Sequence, residues 1–186
     1  MYTDNHATSG AHANPTIGTL LSSKYKVIAQ CGTGNFARVF ECLNVQTNER
    51  VAIKLLKHGF ERDADFECDV LNAINRHDPR DEVGVVKLIE RFEWRGHAAI
   101  SFKLKGRSLR SHSMPMTAEQ LATVARDLAE SLSFLHFKCR AVHTDLKPEN
   151  VLEEVSSTTK GRKWAICDLG SASFYTTRLD TDLITT

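Results

Sequence analysis

The sequence predicts an α+β fold in which antiparallel strands come first and a long helix follows. Two observations support this prediction. Strand-like segments rich in Val, Ile and Phe alternate with polar turns through the first half of the chain, a pattern typical of hairpins. Two stretches, one at 63–75 and a longer one after Thr117, have apolar residues at helical spacing instead. A strand-rich part followed by a helical part is typical of the α+β class.

Five strands and one inserted helix are predicted in the first half of the chain. The first two strands flank a glycine-rich turn, and the last two form a hairpin around Arg95-Gly96. The inserted helix is predicted over 63–75, between the third and fourth strands. The five strands are predicted at 25–29, 38–43, 51–56, 85–94 and 97–104.

A long helix is predicted after Thr117. Thr117 and Gln120 have the spacing of a capping box, in which each side chain bonds the backbone amide of the other residue. The apolar residues behind this box form one helical stripe, which we interpret as core packing. The stripe consists of Leu121, Val124, Ala125, Leu128, Leu132 and Leu135.

Charge and composition argue against several classes of function. The 24 Lys and Arg residues nearly balance the 23 Asp and Glu residues, so no electrostatic attraction to nucleic acid or to an anionic membrane is expected. No apolar run reaches the length of a membrane span, and the N-terminus lacks the pattern of a signal peptide. The five cysteines are widely spaced and include no C-x-x-C pair, which predicts reduced thiols in an intracellular protein.

The first 23 residues are predicted to form a disordered tail. Residues 1–23 are rich in His, Ala, Asn, Ser, Thr and Gly, and large apolar residues are few before Leu20-Leu21. Such a segment is expected to bury too little apolar surface to offset the entropy lost on ordering.

The stretch 143–150 (His-Thr-Asp-Leu-Lys-Pro-Glu-Asn) carries the most chemical information in the chain. It places an Asp, a Lys and an Asn in one compact loop, and an Asp-Leu-Gly at 168–170 follows on a separate strand. Phosphoryl transfer requires such a set: a carboxylate that accepts a proton from the attacking hydroxyl, a cation near the transferred phosphate, and oxygen ligands for magnesium. The stretch therefore predicts a phosphoryl-transfer site.

The stretch 32–37 (Gly-Thr-Gly-Asn-Phe-Ala) lies between two predicted strands. A strand follows it rather than a helix, which argues against a dinucleotide-binding turn. Glycine lets backbone amides approach phosphate groups closely, although it also serves ordinary hairpins. Lys54 ends a Val-Ala-Ile-Lys run on the third strand. A lone strand lysine is usually solvated, but its place after a glycine-rich loop predicts a contact with nucleotide phosphates.

Together these segments resemble a protein kinase domain. The resemblance covers 25–186 and implies a kinase-like fold with two lobes. A five-stranded antiparallel N-lobe with one helix is expected at 24–104, and the beginning of a mostly helical C-lobe, ending in the activation segment, at 105–186. It implies ATP and Mg²⁺ as cofactors. Because relatives continue further, we expect the sequence to be C-terminally truncated relative to a full domain.

The resemblance implies roles for the residues of the site. Asp145 would be the catalytic base, Lys147 the transition-state cation, and Asn150 and Asp168 the Mg²⁺ ligands.

Lys54 would bind the α- and β-phosphates and be held by Glu67, with Glu61 as the weaker alternative. Further nucleotide contacts are expected from the glycine-rich loop, the roof and floor of the adenine pocket, and the hinge. These are Gly32, Gly34, Phe36, Val39, Ala52, Phe102, Lys103, Leu104, Lys105 and Leu152.

Two kinase families resemble this chain more than others. The stretch 143–150 is similar to that of the LAMMER (CLK) dual-specificity kinases, with the SR-protein kinases as close runner-up. The Ser-Ala-Ser at 171–173 is LAMMER-like, whereas Lys-Cys-Arg at 138–140 and Leu169 are similar to SR-protein kinases. Most kinases carry, in place of Thr144, an Arg that clamps a phosphorylated activation loop. Activity is therefore not expected to depend on that clamp.

The resemblance implies a kinase that transfers the γ-phosphate of ATP to Ser or Thr, and also Tyr, of Arg/Ser-rich proteins such as splicing factors. Such a protein would be a monomer in the nucleus or cytoplasm unless the exposed face of its C-lobe recruits a partner, and no direct contact to nucleic acid or membrane is expected. Glu149 is expected either to contact a substrate arginine or to be an ordinary loop carboxylate. The alternative function is a catalytically inactive ATP-binding fragment or pseudokinase that acts through protein interaction.

Overall fold

The computed structural model describes residues 11–112, 115–155 and 163–175. Residues 1–10 of the predicted tail and the end of the predicted activation segment lie outside the described residues. The strands are β1 (Leu20–Leu21), β2 (Tyr25–Thr33), β3 (Ala37–Asn44), β4 (Arg50–Leu56), β5 (Leu88–Trp94), β6 (His97–Lys103), β7 (Ala141–Val142), β8 (Val151–Glu153), β9 (Trp164–Ile166) and β10 (Ser173–Phe174). The helices are α1 (Glu61–His77) and α2 (Ala118–Phe137), and two 3₁₀ turns span Leu109–Ser111 and Pro148–Asn150.

Six strands form one antiparallel sheet in the order β1-β2-β3-β4-β6-β5. The five predicted strands are all present, and β1 adds a short sixth strand at the edge. The predicted hairpin turn is also present. Arg95 and Gly96 both have positive φ, 50° and 76°, as a two-residue type I′ turn requires. The α+β fold class is therefore confirmed.

The sheet separates two hydrophobic cores because successive side chains of a strand point to opposite faces. On the outer face, Phe40, Ile53 and Leu55 pack in one cluster. On the inner face, Leu56 and Ile100 belong to a second cluster, which includes the apolar side of α1 and reaches α2. The inner face is the one on which the candidate site is built.

The N-terminal segment 11–23 is ordered, so the prediction of a disordered tail was wrong for these residues. Leu21 is fully buried and Ala13 is 3% exposed, and both belong to the core on the outer face of the sheet. Arg38 on β3 donates a hydrogen bond to Asn14 Oδ1 at 2.9 Å. Composition suggested disorder because the segment has few apolar residues of its own. Its stability comes instead from apolar surface that the sheet supplies.

Helix α1 is two residues longer at each end than predicted. Its buried side includes Val70, Leu71 and Ile74, which pack on the inner face of the sheet, and it also includes the charged Glu67. The helix is followed by a buried ion pair of 2.7 Å between Asp78 and Lys87, both less than a tenth exposed. This pair fixes the loop between α1 and β5.

Helix α2 begins with the predicted capping box. The Gln120 amide donates to Thr117 Oγ1 at 3.2 Å, and the Thr117 amide donates to Gln120 Oε1 at 2.8 Å. No helix in the described part of the chain is long and apolar enough to cross a membrane.

The predicted apolar stripe of α2 is only partly correct. Leu121 is 54% exposed, whereas Asp127 and Ser131 are buried. Asp127 Oδ2 accepts hydrogen bonds from the Lys163 and Trp164 amides at 2.8 and 3.2 Å. A carboxylate that satisfies two backbone donors tolerates burial, so the helix turns this polar side toward β9.

Candidate active site

Strand register places Lys54 beneath the glycine-rich turn. Gly32 on β2 is paired with Val39 on β3, and Val39 is paired with Lys54 on β4. Directly paired residues of an antiparallel sheet project from the same face. The side chains of Val39 and Lys54 therefore share the inner face, and Ala52, two residues from Lys54, shares it too.

The ammonium group of Lys54 lies between two carboxylates. Its Nζ is 2.7 Å from Glu67 Oε2 and 2.8 Å from Asp168 Oδ1. The side chain of Glu67 is 2% exposed and that of Lys54 is 16% exposed, whereas that of Asp168 is 44% exposed. The cluster is thus closed toward α1 and open toward the solvent at Asp168.

The three charged groups shift one another's titration. Burial alone would lower the pKa of Lys54, but the charges of Glu67 and Asp168 outweigh burial and raise it. For Asp168 burial acts in the opposite direction and would raise the pKa. The charge and hydrogen bond of Lys54 outweigh burial and hold the pKa of Asp168 below its usual range. The pKa of Glu67 is raised, because burial is only partly offset by Lys54. Lys54 remains a cation across the physiological range.

Glu61, the weaker alternative partner of Lys54, has a different role. It is the first residue of α1, and its Oε1 accepts a hydrogen bond from the Gly59 amide at 2.9 Å. A carboxylate in the first turn of a helix also lies at the positive end of the helix dipole. The structure therefore brings Glu67, not Glu61, to Lys54.

The loop after β7 brings the remaining polar residues together. Lys147 Nζ lies 2.6 Å from Asp145 Oδ2, and the hydrogen bond to Asp145 raises the pKa of Lys147. Asn150 Nδ2 donates to the Asp145 backbone carbonyl at 2.9 Å. Because its amide nitrogen is engaged in the loop, the carbonyl oxygen of Asn150 is the atom suited to bind a ligand.

His143 holds this loop against the strand that precedes Asp168. Its ring is 2% exposed, and Nε2 lies 2.9 Å from the Cys167 carbonyl oxygen. Its Nδ1 accepts a hydrogen bond from the Asp145 amide at 3.3 Å. The ring therefore links Asp145 to the backbone next to Asp168.

Two residues of the site have left-handed backbones. Thr144 has a φ of 64° and Asp168 a φ of 63°. For a β-branched residue this conformation is an outlier, and such strain costs about 1–3 kcal/mol and persists only where the surroundings enforce it. Thr144 Oγ1 donates to the Ser171 carbonyl at 2.5 Å. Sequence reasoning gave Thr144 no contact, because only the folded chain brings Ser171 to it.

Leu169 and Gly170 fit the space around the ion cluster. Leu169 is fully buried in the inner core, together with Leu71 of α1. A side chain at Gly170 would place its Cβ 3.3 Å from Glu67 Oε2 and 3.5 Å from Lys54 Nζ. Glycine therefore leaves the ion pair undisturbed.

The predicted phosphate loop forms the tip between β2 and β3. The Gly34 amide donates to the Ala37 carbonyl at 2.9 Å. The ring of Phe36 is 59% exposed and lies 5.1 Å from that of Phe60, centroid to centroid. Gly32, at the base of this tip, is paired with Val39, which in turn is paired with Lys54.

The predicted hinge follows β6. Phe102 is paired with Ala52 in the sheet and is 8% exposed. Lys103 Nζ forms an ion pair of 2.7 Å with Asp81, and Leu104 is half-buried.

Lys105 turns inward from the hinge. It forms an ion pair of 2.5 Å with Glu154, and both side chains are almost completely buried. The Gly106 amide donates to the Glu153 carbonyl at 2.8 Å, which joins the hinge to β8, where Leu152 is half-buried. The sequence offered no signal for the Lys105–Glu154 pair, since 49 positions separate the two residues.

The residues suited to hold Mg²⁺ are Asn150 and Asp168. In the described ranges no group of three or more His, Cys, Asp and Glu side chains has a metal-binding arrangement. Mg²⁺ at nucleotide sites is usually held by one or two carboxylates together with phosphate oxygens and water. The Asp168 carboxylate, on the exposed side of the Lys54 cluster, and the amide oxygen of Asn150 fit that requirement.

Comparison with known proteins agrees with this geometry. The model of the protein kinase domain family matches residues 25–186. Similar proteins include the dual specificity protein kinase CLK1 of Mus musculus, 34% identical over 77% of this chain and 31% of the relative. The dual specificity protein kinase CLK2 of Homo sapiens is 31% identical over 85% of this chain and 36% of the relative.

A solved structure supports the same conclusion. A crystal structure of a kinase domain superposes with a TM-score of 0.77 at 26% identity, covering 89% of this chain and 56% of that one. The fold and the family match together define a protein kinase domain. The chain belongs to the protein kinase family, as the sequence predicted. It spans about a third of the length of the CLK relatives it matches.

Proposed function

We propose that this chain carries the ATP site and the phosphoryl-transfer site of a protein kinase acting on Ser and Thr, and also on Tyr. One observation supports this proposal above all others. The ammonium of Lys54 bonds both Glu67 and Asp168, so the phosphate-binding cation and the metal ligand are held in one cluster. An assembled cluster of this kind is a requirement for activity in protein kinases.

The proton transfer is assigned to Asp145. The γ-phosphoryl group leaves the bridging oxygen of ATP and joins the hydroxyl oxygen of the substrate, the hydroxyl proton passes to the Asp145 carboxylate, and ADP is released. Lys147, 2.6 Å from that carboxylate, provides positive charge where the transferred group accumulates negative charge.

The nucleotide is bound from three sides in this proposal. Lys54 contacts the α- and β-phosphates, the glycine-rich loop at 32–37 covers them, and the backbone of Leu104 and its neighbours binds adenine. Asn150 and Asp168 hold Mg²⁺, which would neutralise charge on the phosphate oxygens. Val39, Ala52 and Leu152 enclose the adenine ring.

The proposal is tested by phosphoryl transfer from γ-labelled ATP to a mixture of Ser, Thr and Tyr peptides. Asp145→Asn keeps the shape of the side chain but removes the base, and we expect a loss on the order of 100-fold or more. Asp63→Asn, at an exposed position in the first turn of α1, is the control and should transfer as well as the unmodified chain. Equal rates in both variants would contradict the assignment of Asp145.

The proposed substrates are proteins with Arg/Ser-rich segments, such as splicing factors. Two features support this class: the similarity to dual specificity CLK kinases and the position of Glu149, which is half exposed beside the Lys147 loop. Glu149 Oε1 lies 3.5 Å from Arg110 Nε, and the Arg110 side chain is 74% exposed. A surface pair of this kind contributes little, so a substrate guanidinium can replace Arg110.

An Arg-Ser repeat peptide and a Lys-Ser repeat peptide distinguish this substrate class. Arg binds a carboxylate with two parallel hydrogen bonds, which Lys cannot form. We expect a lower KM for the Arg-Ser peptide, and Glu149→Gln should reduce that preference. An equal KM for both peptides would exclude the substrate class without affecting the kinase assignment.

We further propose that 24–104 and 105–186 correspond to the two lobes of a kinase. The chain would act as a monomer in the nucleus or cytoplasm, without direct contact to nucleic acid or membrane. Its near-neutral net charge of +1 supports the last point.

A further inference from the structure

We propose that Tyr175 is a positioning residue for the phosphoryl-transfer site. Its hydroxyl donates a hydrogen bond to the His136 carbonyl in the last turn of α2, and its amide donates to the Arg140 carbonyl at 3.0 Å. The last carbonyl groups of a helix have no partner within the helix, so His136 offers a free acceptor. The hydroxyl bond ties the segment that carries Asp168 to α2, and the amide bond ties it to the backbone between α2 and β7.

The segment needs this tether because its own pairing is short. Ser173 and Phe174 of β10 pair with Val142 and Ala141 of β7, and the ribbon has only two residues on each strand. A two-stranded ribbon is marginal even at greater length. The bonds from Tyr175 therefore continue the ribbon beyond its end and fix it to a helix of 20 residues.

The ribbon in turn enforces the strained backbone of the site. Its strand β7 leads directly into His143 and Thr144, and β10 follows the Asp168 turn. Thr144 and Asp168 both have left-handed backbones, and Thr144 Oγ1 bonds the Ser171 carbonyl. Strain at such positions persists only while the surroundings enforce it. Loosening the end of the ribbon would let Asp168 leave the place where Lys54 holds it.

The same ribbon also reaches α1. The ring of Phe174 meets that of Phe66 edge to face, with centroids 6.2 Å apart and an interplanar angle of 73°. Phe66 precedes Glu67, the partner of Lys54. Tyr175 therefore stabilises both carboxylates of the cluster without touching either of them.

Hydrogen exchange on the intact chain tests the tether without any requirement for activity. Tyr175→Phe removes only the hydroxyl. We expect amide exchange in 169–175 to become about 2- to 10-fold faster, the range for one lost hydrogen bond. Thr123→Val is the matched control, because it also removes a hydroxyl bonded to a carbonyl of α2, that of Glu119 at 3.0 Å. It should leave exchange in 169–175 unchanged.

A kinetic readout separates positioning from general stability, and this part rests on the proposed function. Because Asp168 is the proposed Mg²⁺ ligand, Tyr175→Phe should raise the Mg²⁺ concentration for half-maximal phosphoryl transfer several-fold. Thr123→Val should not change it.

The outcomes are distinct. Unchanged exchange in 169–175 would overturn the tether, and so would faster exchange spread evenly over the whole chain. Faster exchange confined to 169–175, in a chain that transfers no phosphate, would support the tether and contradict the proposed function.

Discussion

Lys54 Nζ lies 2.8 Å from Asp168 Oδ1, although 114 positions separate the two residues in the sequence. This contact joins the large sheet to the segment after β9. Because Glu67 binds the same ammonium, α1 is included in the same cluster. The cluster of Lys54, Glu67 and Asp168 therefore forms only when the sheet, α1 and the segment after β9 are correctly assembled.

Glu67 is expected to be essential and Glu61 dispensable. Glu67→Gln removes the charge of the more deeply buried of the two carboxylates that pair with Lys54. Removing one partner of a buried pair is strongly destabilising, so we expect kcat/KM for ATP to fall on the order of 100-fold. Glu61→Gln, at the first residue of α1, where the side chain bonds the Gly59 amide and not Lys54, should change kcat/KM less than about twofold. Similar losses in both variants would contradict the Lys54–Glu67 assignment.

Activity is expected to be independent of phosphorylation in the activation segment. Thr144 stands at the sequence position where most kinases carry the clamping Arg, and its hydroxyl bonds the Ser171 carbonyl directly. Phosphatase-treated chain should therefore retain its full rate of phosphoryl transfer. Thr144→Val keeps the branched shape but removes the donor, and a loss of about 2- to 10-fold is expected. Loss of activity on phosphatase treatment would contradict this interpretation.

The Asp78–Lys87 pair should give stability that depends on pH. Burial alone would raise the pKa of Asp78, but the bonds from Lys87 and from the Glu82 and Val83 amides outweigh it and lower that pKa below 3.8. Folding therefore favours the ionised carboxylate. The contribution is complete above the ordinary pKa of Asp and is lost as the pH falls through the folded-state value.

Chemical denaturation across pH checks this expectation. At pH 7 Asp78→Asn should lower the free energy of unfolding by about 3 kcal/mol, since Lys87 stays buried without a counter-charge. The difference from the unmodified chain should shrink below about pH 4. Glu41→Gln, which breaks an ion pair with the 63% exposed Arg50, is the control and should cost less than about 1 kcal/mol. A difference that is constant down to pH 2 would contradict the linkage.

The five cysteines should differ strongly in reactivity. Burial raises the pKa of all five thiols, to about 12 for Cys42 and Cys167 and to about 11 for Cys68 and Cys139, but among the five only Cys31 is exposed. The thiolate is the reactive form. Iodoacetamide near neutral pH should therefore modify Cys31 first in the native chain, as peptide mass spectrometry would show. Equally fast modification of Cys167 would mean that the site is less closed than described.

Local patterns predicted the elements of this fold well. The hairpin at Arg95-Gly96 and the capping box of Thr117 and Gln120 depend on residues close in sequence, so their spacing alone determined them. The contact between Lys54 and Glu67 was predicted because the apolar residues of β4 and of α1 recur at regular intervals. These intervals determine the side of each element on which Lys54 and Glu67 lie.

Features that depend on distant residues could not be predicted in this way. The order of segment 11–23 comes from apolar surface on the sheet, which the composition of the segment does not reveal. By residue type Asp127 would be predicted at the surface. It is buried because the Lys163 and Trp164 amides, which are distant in sequence, donate hydrogen bonds to its carboxylate. The bonds of Thr144 to Ser171 and of Tyr175 to His136 likewise exist only once β7 and β10 are paired.

Calorimetric titration with Mg²⁺ and ATP tests the central claim most directly, namely that the Lys54 cluster is a nucleotide phosphate site. The unmodified chain should bind, and Lys54→Ala should weaken binding by about 10- to 100-fold, the range for lost hydrogen bonds between charged groups. Lys26→Ala, at an exposed position on β2, should bind like the unmodified chain. Equal affinity for the Lys54 and Lys26 variants, or no binding by the unmodified chain, would contradict the account.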